Sequence, residues 1–220
     1  MNAHAQLREQ ILTTAERLHK AGVLSLSGHA NLSARVDADR MLLTTVGSVV
    51  GLTADKLALV RFDGTVEEGV LSPENAEIVA MHGEVYRYRA DVGGVVHAHP
   101  THATAFALAN KPLPARHEMM LRFGQYREIP VIPWAPRGSD DSVRWIVEAL
   151  QARPDTGGVL MANHGPLAFG ATVADAAMML TAMEECAHLE IEAAAIGGGR
   201  DFPADALEAV RRSMARVAGA

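Results

Sequence analysis

The sequence predicts an α/β or α+β fold. Amphipathic helices flank a strand-rich centre, the apolar runs of that centre are short and aliphatic, and Gly, Pro or Asp separates one run from the next. The chain holds 220 residues, 49% hydrophobic and 21% charged, the composition of an ordinary globular protein able to bury a sizeable core. With no internal repeat, low-complexity tract or long linker to divide it, residues 1–220 are expected to form a single domain.

In chain order, Leu7, Ile11, Leu12, Ala15 and Leu18 recur at helical spacing, which predicts a helix over Gln6–Leu24 stopped by Gly22. Strands follow at Asn31–Val36, Met41–Thr45 and Leu57–Phe62, separated by Asp37-Ala38-Asp39 and by Gly47 and Gly51. Pro73 precedes a helix over Asn75–Arg89, with Ile78, Met81, His82 and Val85 on one face. Gly93–Pro100 reads as a strand ended by proline, and Thr101 as the cap of a helix through Leu108. A strand over Ile129–Trp134 precedes Ser139, which with two following aspartates suits the start of a helix through Gln151. Gly158–Ala162 is a buried strand, and helices over Val173 to about Ala195 and Asp205–Val217 complete the chain.

The net charge of −6, without a basic block, gives no reason to expect nucleic acid or an anionic membrane as partner. Cys186 is the single cysteine, which excludes an internal disulfide framework and a Cys-rich zinc module and fits a reducing compartment. No signal peptide or membrane span is legible, so a cytoplasmic protein is expected.

The chemistry gathers around histidine. His97 and His99 are two apart on a predicted strand, so both imidazoles project from one face and can reach one point in space. His164 follows another buried strand, beside Gly165, where the backbone can turn tightly. Two strands ending side by side bring the three together as an open metal site, and three neutral nitrogens suit zinc and related transition metals better than magnesium or calcium. A carboxylate partner is Glu77, near the start of the helix that feeds the His97 strand; Glu74 and Glu77 equally suit the role of complementing the helix dipole. A structural zinc is disfavoured because such sites close with four protein ligands, usually including cysteine. His82 reads as a hydrogen-bonded core residue, His102 can line the pocket, and Arg127 and Arg137 read as solvated cations.

Ser27-Gly28-His29-Ala30-Asn31-Leu32-Ser33, the helix leading to Met81-His82, Val95-Val96-His97-Ala98-His99-Pro100 and Ala162-Asn163-His164-Gly165 together resemble the class II aldolase/adducin family. Its enzymatic members include fuculose-phosphate and ribulose-phosphate aldolase or epimerase types. The resemblance runs from the first helix to about Gly199. It implies a three-layer α/β/α fold around a mainly antiparallel sheet, and a homotetramer with active sites between subunits. It also implies His97, His99 and His164 as zinc ligands (Mn2+ or Co2+ being alternatives), a helical glutamate as acid/base, and Asn31 in the loop holding the substrate's anionic end. With His29 and Gly47, Asn31 completes the candidate substrate-binding set.

Four departures follow. Counted back from His82, the family's glutamate falls on Ile78, which leaves Glu77 one residue out of register, a rotation of about 100° on a helix. Thr44-Thr45-Val46-Gly47 stands where sugar-phosphate aldolases tend to have Thr-Pro-Ser/Thr-Gly, and their paired serines before the glutamate are absent. Trp134 also stands where the family often has a tyrosine, for which Tyr126 is a candidate replacement. The expectation is therefore a metal-dependent carbon–carbon lyase of aldolase type. It acts through an enolate held on the metal, on a small hydroxy-keto or carboxylate substrate rather than a sugar phosphate. Decarboxylation shares that intermediate and is the runner-up, beside a sugar-phosphate aldolase or epimerase. An adducin-like interaction module is the non-enzymatic alternative, opposed by the intact histidines.

Overall fold

The computed structural model describes residues 3–136 and 138–218. Arg137, and the side chain of Glu74, lie outside the described residues. The elements are α1 (Ala3–Lys20), β1 (Ala30–Arg35), β2 (Arg40–Thr44), β3 (Leu57–Arg61), β4 (Val66–Glu68), α2 (Ala76–Tyr88), β5 (Gly94–Ala98), α3 (Thr101–Leu108), α4 (Glu118–Arg122), β6 (Val131–Ile132), α5 (Asp140–Ala152), β7 (Gly158–Met161), β8 (Gly165–Gly170), α6 (Val173–Ala194) and α7 (Ala206–Ala218). The eight strands form one sheet in the order β4-β3-β2-β1-β5-β8-β7-β6. Every pairing is antiparallel except β6 with β7.

Because side chains alternate along a strand, the sheet feeds two cores. On one face Leu32, Val96, Leu160 and Ala168 pack with Ile11 and Ala15 of α1, Ala103 of α3 and Leu180 of α6. On the other, Leu43, Val95, Val159 and Leu167 pack with Ile78 and Val85 of α2 and Ile146 of α5. Helices therefore cover both faces of a mainly antiparallel sheet.

Most predicted elements recur with shifted ends. The first helix stops at Lys20, and Gly22 turns the chain with a φ of +69°. Ser139 caps α5 as expected, its side chain accepting from the Ser142 amide. Thr101 is already the first helical residue of α3, and Pro100 occupies the cap position. The strand expected over Ile129–Trp134 shrinks to two residues. β4, β8 and α4 were not expected, and β8 matters most because it lies between β5 and β7.

Candidate metal centre

The site forms where β5 and the β7–β8 hairpin end together. β5 lies between β1 and β8, with His97 opposite Asn31 on one side and Leu167 on the other. Ala162, Asn163 and His164 connect β7 to β8, where Met161 pairs with Gly165. Asn163 takes a φ of +56°, a left-handed conformation that Asn tolerates better than most residues, and so lets the chain reverse in three residues. Gly165 is required beside it, since a Cβ there would lie 2.8 Å from His99 Cδ2.

This hairpin brings all three predicted histidines together: one ring nitrogen from each of His97, His99 and His164 lies within 4.8 Å of the others. The His97 ring centroid is 4.7 Å from those of both His99 and His164, and the latter two are 5.0 Å apart. His97 is buried, and its Nδ1 lies 2.9 Å from the Pro166 carbonyl oxygen. A carbonyl only accepts, so Nδ1 carries the proton and Nε2 presents a lone pair. His99 Nε2 is buried with no hydrogen-bond partner, a condition that ligation would relieve. Burial, followed by repulsion from neighbouring histidines, lowers the His97 pKa well below 6.5 and that of His99 to about 4. Both rings are thus neutral at pH 7, as a metal ligand must be. Three converging imidazoles, one fixed by an outer carbonyl and one with an orphaned nitrogen, fit a divalent transition metal.

The predicted substrate residues flank this cluster. The His29 ring stacks on His99, with centroids 5.3 Å apart and planes 14° from parallel. Gly47 backs His29, for a Cβ there would lie 3.2 Å from its Nδ1. Asn31 is buried opposite His97, and its amide donates to the Ala30 carbonyl. Both threonines of the neighbouring turn make hydrogen bonds within the fold. The Thr44 hydroxyl, fully buried, accepts from the Leu32 amide, and the Thr45 hydroxyl donates to the Lys56 carbonyl.

Glu77 occupies the first turn of α2 and lines a cavity of about 300 Å³ together with His164. Ile78, at the family's glutamate position, is buried in the core under the sheet. A short 3-10 turn over Pro73–Asn75 starts the helix, and the Asn75 amide anchors it to the Thr45 carbonyl. Glu77 thus lies at the cavity and Ile78 in the core.

His82 behaves as a core histidine: its Nδ1 bonds the Ser33 hydroxyl at 2.7 Å, and burial lowers its pKa to about 3. His102 does not line the cavity. It turns to α6, where its Nδ1 bonds Glu184 at 2.7 Å and its ring stacks on His188, while the same carboxylate accepts from the amides that open α3. Tyr126 and Arg127 stack on each other in a different cavity, lined also by Arg116 and Phe202. The wall beside Glu77 includes Met81, Ile132, Pro133 and Met161, which the sequence left unassigned, and Trp134, noted above at the family's tyrosine position. These residues come from separate segments, and all but Trp134 read locally as core.

The comparisons agree with this architecture. Residues 9–191 match the family model described as Class II Aldolase and Adducin N-terminal domain. An L-fuculose phosphate aldolase from Escherichia coli O6:H1 is 31% identical over 192 residues, covering 87% of this chain and 85% of the relative. Among solved structures, an L-fuculose 1-phosphate aldolase superposes with a TM-score of 0.81 at 24% identity, covering 95% of this chain and 96% of the other. YgbL from Escherichia coli, described as a putative aldolase/epimerase/decarboxylase, gives 0.77 at 27% identity, covering 94% and 98%. The chain belongs to the class II aldolase and adducin family.

Proposed function

We propose that the chain is a metal-dependent carbon–carbon lyase that cleaves a small hydroxy-keto or carboxylate substrate rather than a sugar phosphate. The observation that carries the reading is the convergence of His97, His99 and His164 beside a cavity that Glu77 shares. The three imidazoles would hold the metal, with Zn2+ preferred and Mn2+ or Co2+ as alternatives. When bound, such an ion supplies Lewis-acid polarisation of a substrate carbonyl.

Glu77 takes the proton from the substrate hydroxyl as the carbon–carbon bond opens and returns it to the carbon left behind. His29, Asn31 and Gly47 hold the substrate's anionic end beside the cluster. The preference against phosphate is supported by the full burial of Thr44 and by Thr45, whose hydroxyl proton goes to the Lys56 carbonyl. A homo-oligomer, as the family resemblance implies, belongs to the same proposal and is supported by apolar residues left in water beside the His29 loop, Leu26 and Val50. So does a reducing, cytoplasmic setting, supported by the lone buried thiol of Cys186.

A second reading, a sugar-phosphate aldolase, is favoured by the names of the relatives. The test is product release by the metal-loaded protein from 4-hydroxy-2-oxo acids and from L-fuculose 1-phosphate. Higher kcat/KM on an unphosphorylated acid supports the proposal, and carbon dioxide as the product turns it toward decarboxylation. Higher kcat/KM on the sugar phosphate rejects the substrate assignment.

A further inference from the structure

The wall beside Glu77 has a chemistry of its own. Met81, Ile132 and Met161 are buried, at 6%, 5% and 8% exposure, and with Pro133 they give the cavity an apolar floor. Trp134 stands at the same cavity with 60% of its surface exposed, a large aromatic face left in water beside the site. Among the described residues no Lys or Arg lines this space, and its ionisable groups are Glu77 and His164. Ser142 and Asn163 also line the cavity, but the Ser142 hydroxyl donates to the Ser139 carbonyl and Asn163 Oδ1 accepts from Asn110, so hydroxyls of a polyhydroxylated tail set against the thioether, aliphatic and proline floor would lose hydrogen bonds they make in water. An apolar tail would instead cover Trp134 and leave water without loss. At about 300 Å³ the cavity is the size of a small ligand site, larger than a methyl group needs.

We infer that this cavity is a subsite for an apolar substituent, branched or aromatic, carried by the substrate carbon on the far side of the bond that breaks. The inference rests on the lyase reading for its reaction: a 4-hydroxy-2-oxo acid bearing the group R on C4 is cleaved between C3 and C4. The proton leaves the C4 hydroxyl, that carbon becomes the aldehyde R–CHO, the bonding pair stays on C3, and C3 takes up one proton to give pyruvate. No redox partner is needed. Trp134 and Met161 are then specificity-determining residues, with the choice of R set by the surface they present.

The test has a turnover arm and a binding arm. In the first, the metal-loaded protein is given 4-hydroxy-2-oxo-4-phenylbutanoate and 4,5-dihydroxy-2-oxopentanoate, which differ in phenyl against hydroxymethyl. The phenyl compound is expected to have a kcat/KM about tenfold or more higher, and Trp134→Ser to cut that ratio several-fold while Trp134→Phe keeps most of it. In the second, calorimetry compares phenylpyruvate with pyruvate, neither of which needs to react, and phenylpyruvate is expected to bind about tenfold or more tightly. Equal rates and equal affinities for the two members of each pair overturn the subsite and leave the lyase reading standing. No cleavage of either acid, with phenylpyruvate still binding more tightly and Trp134→Ser abolishing the difference, upholds the subsite and overturns the lyase reading.

Discussion

The two faces of the sheet are built from the same strands yet differ in kind. Along β1, Leu32 and Ala34 enter a core with α1, α3 and α6, where the side chains packed together are apolar. Asn31, Ser33 and Arg35, the alternate positions, serve the face covered by α2. There Ser33 bonds both His82 and the Tyr86 hydroxyl, and Arg35 donates to the carbonyls of Tyr86, Arg89 and Val92. His97 belongs to this second face, opposite Asn31, while its neighbours Val96 and Ala98 belong to the first. The difference teaches where a site can be built. One face supplies the packing that holds β5 and β8 in place, and the other accepts buried polar groups, each needing a partner, so that imidazoles can meet at the strand ends.

The sharpest way to break this division is at Glu77. Glu77→Gln keeps the shape of the cavity but removes the proposed base, so kcat should fall about 10²–10⁴-fold while bound metal and melting temperature hold. If the proton is carried elsewhere, kcat will barely change. On the packing face the opposite pattern is expected. Leu180→Ala, at a fully buried position on α6, should cost about 2–5 kcal/mol in urea unfolding and leave metal content per folded chain unchanged. On the polar face, Ser33→Ala removes a partner from both His82 and Tyr86 and should cost about 1–3 kcal/mol, though it deletes a single oxygen.

Acid should act through the polar face alone at first. The folded-state pKa of His82 lies at about 3 against 6.5 for an unburied histidine, because burial disfavours its charge. The unfolded chain therefore takes up a proton as pH falls through 6.5 while the folded chain does not. Stability is full above that pH and declines below it, with a slope from His82 approaching about 1.4 kcal/mol per pH unit until its folded pKa is reached. Urea unfolding of metal-free protein at pH 7.5 and pH 5.5 measures the decline, and His82→Asn should reduce it by the share of one histidine, leaving the part that the likewise lowered His97 and His99 contribute.

Much of this was readable from residues in order. His97 on β5 with His99 one residue past its end, and His164 after its own strand, required only alternation and a tight turn, both local properties. β8 was not readable, since Gly165-Pro166 and Gly170 look like turn residues and its place in the sheet depends on pairing with β5 and β7. The role of Pro166 is likewise tertiary: the residue that obscures the strand supplies the carbonyl to which His97 donates. Glu77 was legible as a candidate, whereas its orientation depended on the 3-10 turn over Pro73–Asn75, which fixes where α2 begins. The apolar wall was the least legible part, because Met81, Ile132 and Trp134 each satisfy a core or surface reading until the chain brings them to one cavity.

The central claim is that the three histidines form one metal centre, and metal content tests it most directly. Elemental analysis of the folded wild type, after incubation with zinc and removal of the excess, should give about one ion per chain. His97→Ala, with an unchanged circular dichroism spectrum, should lose it. A wild type without bound metal, or a folded His97→Ala chain that keeps its ion, would contradict the account.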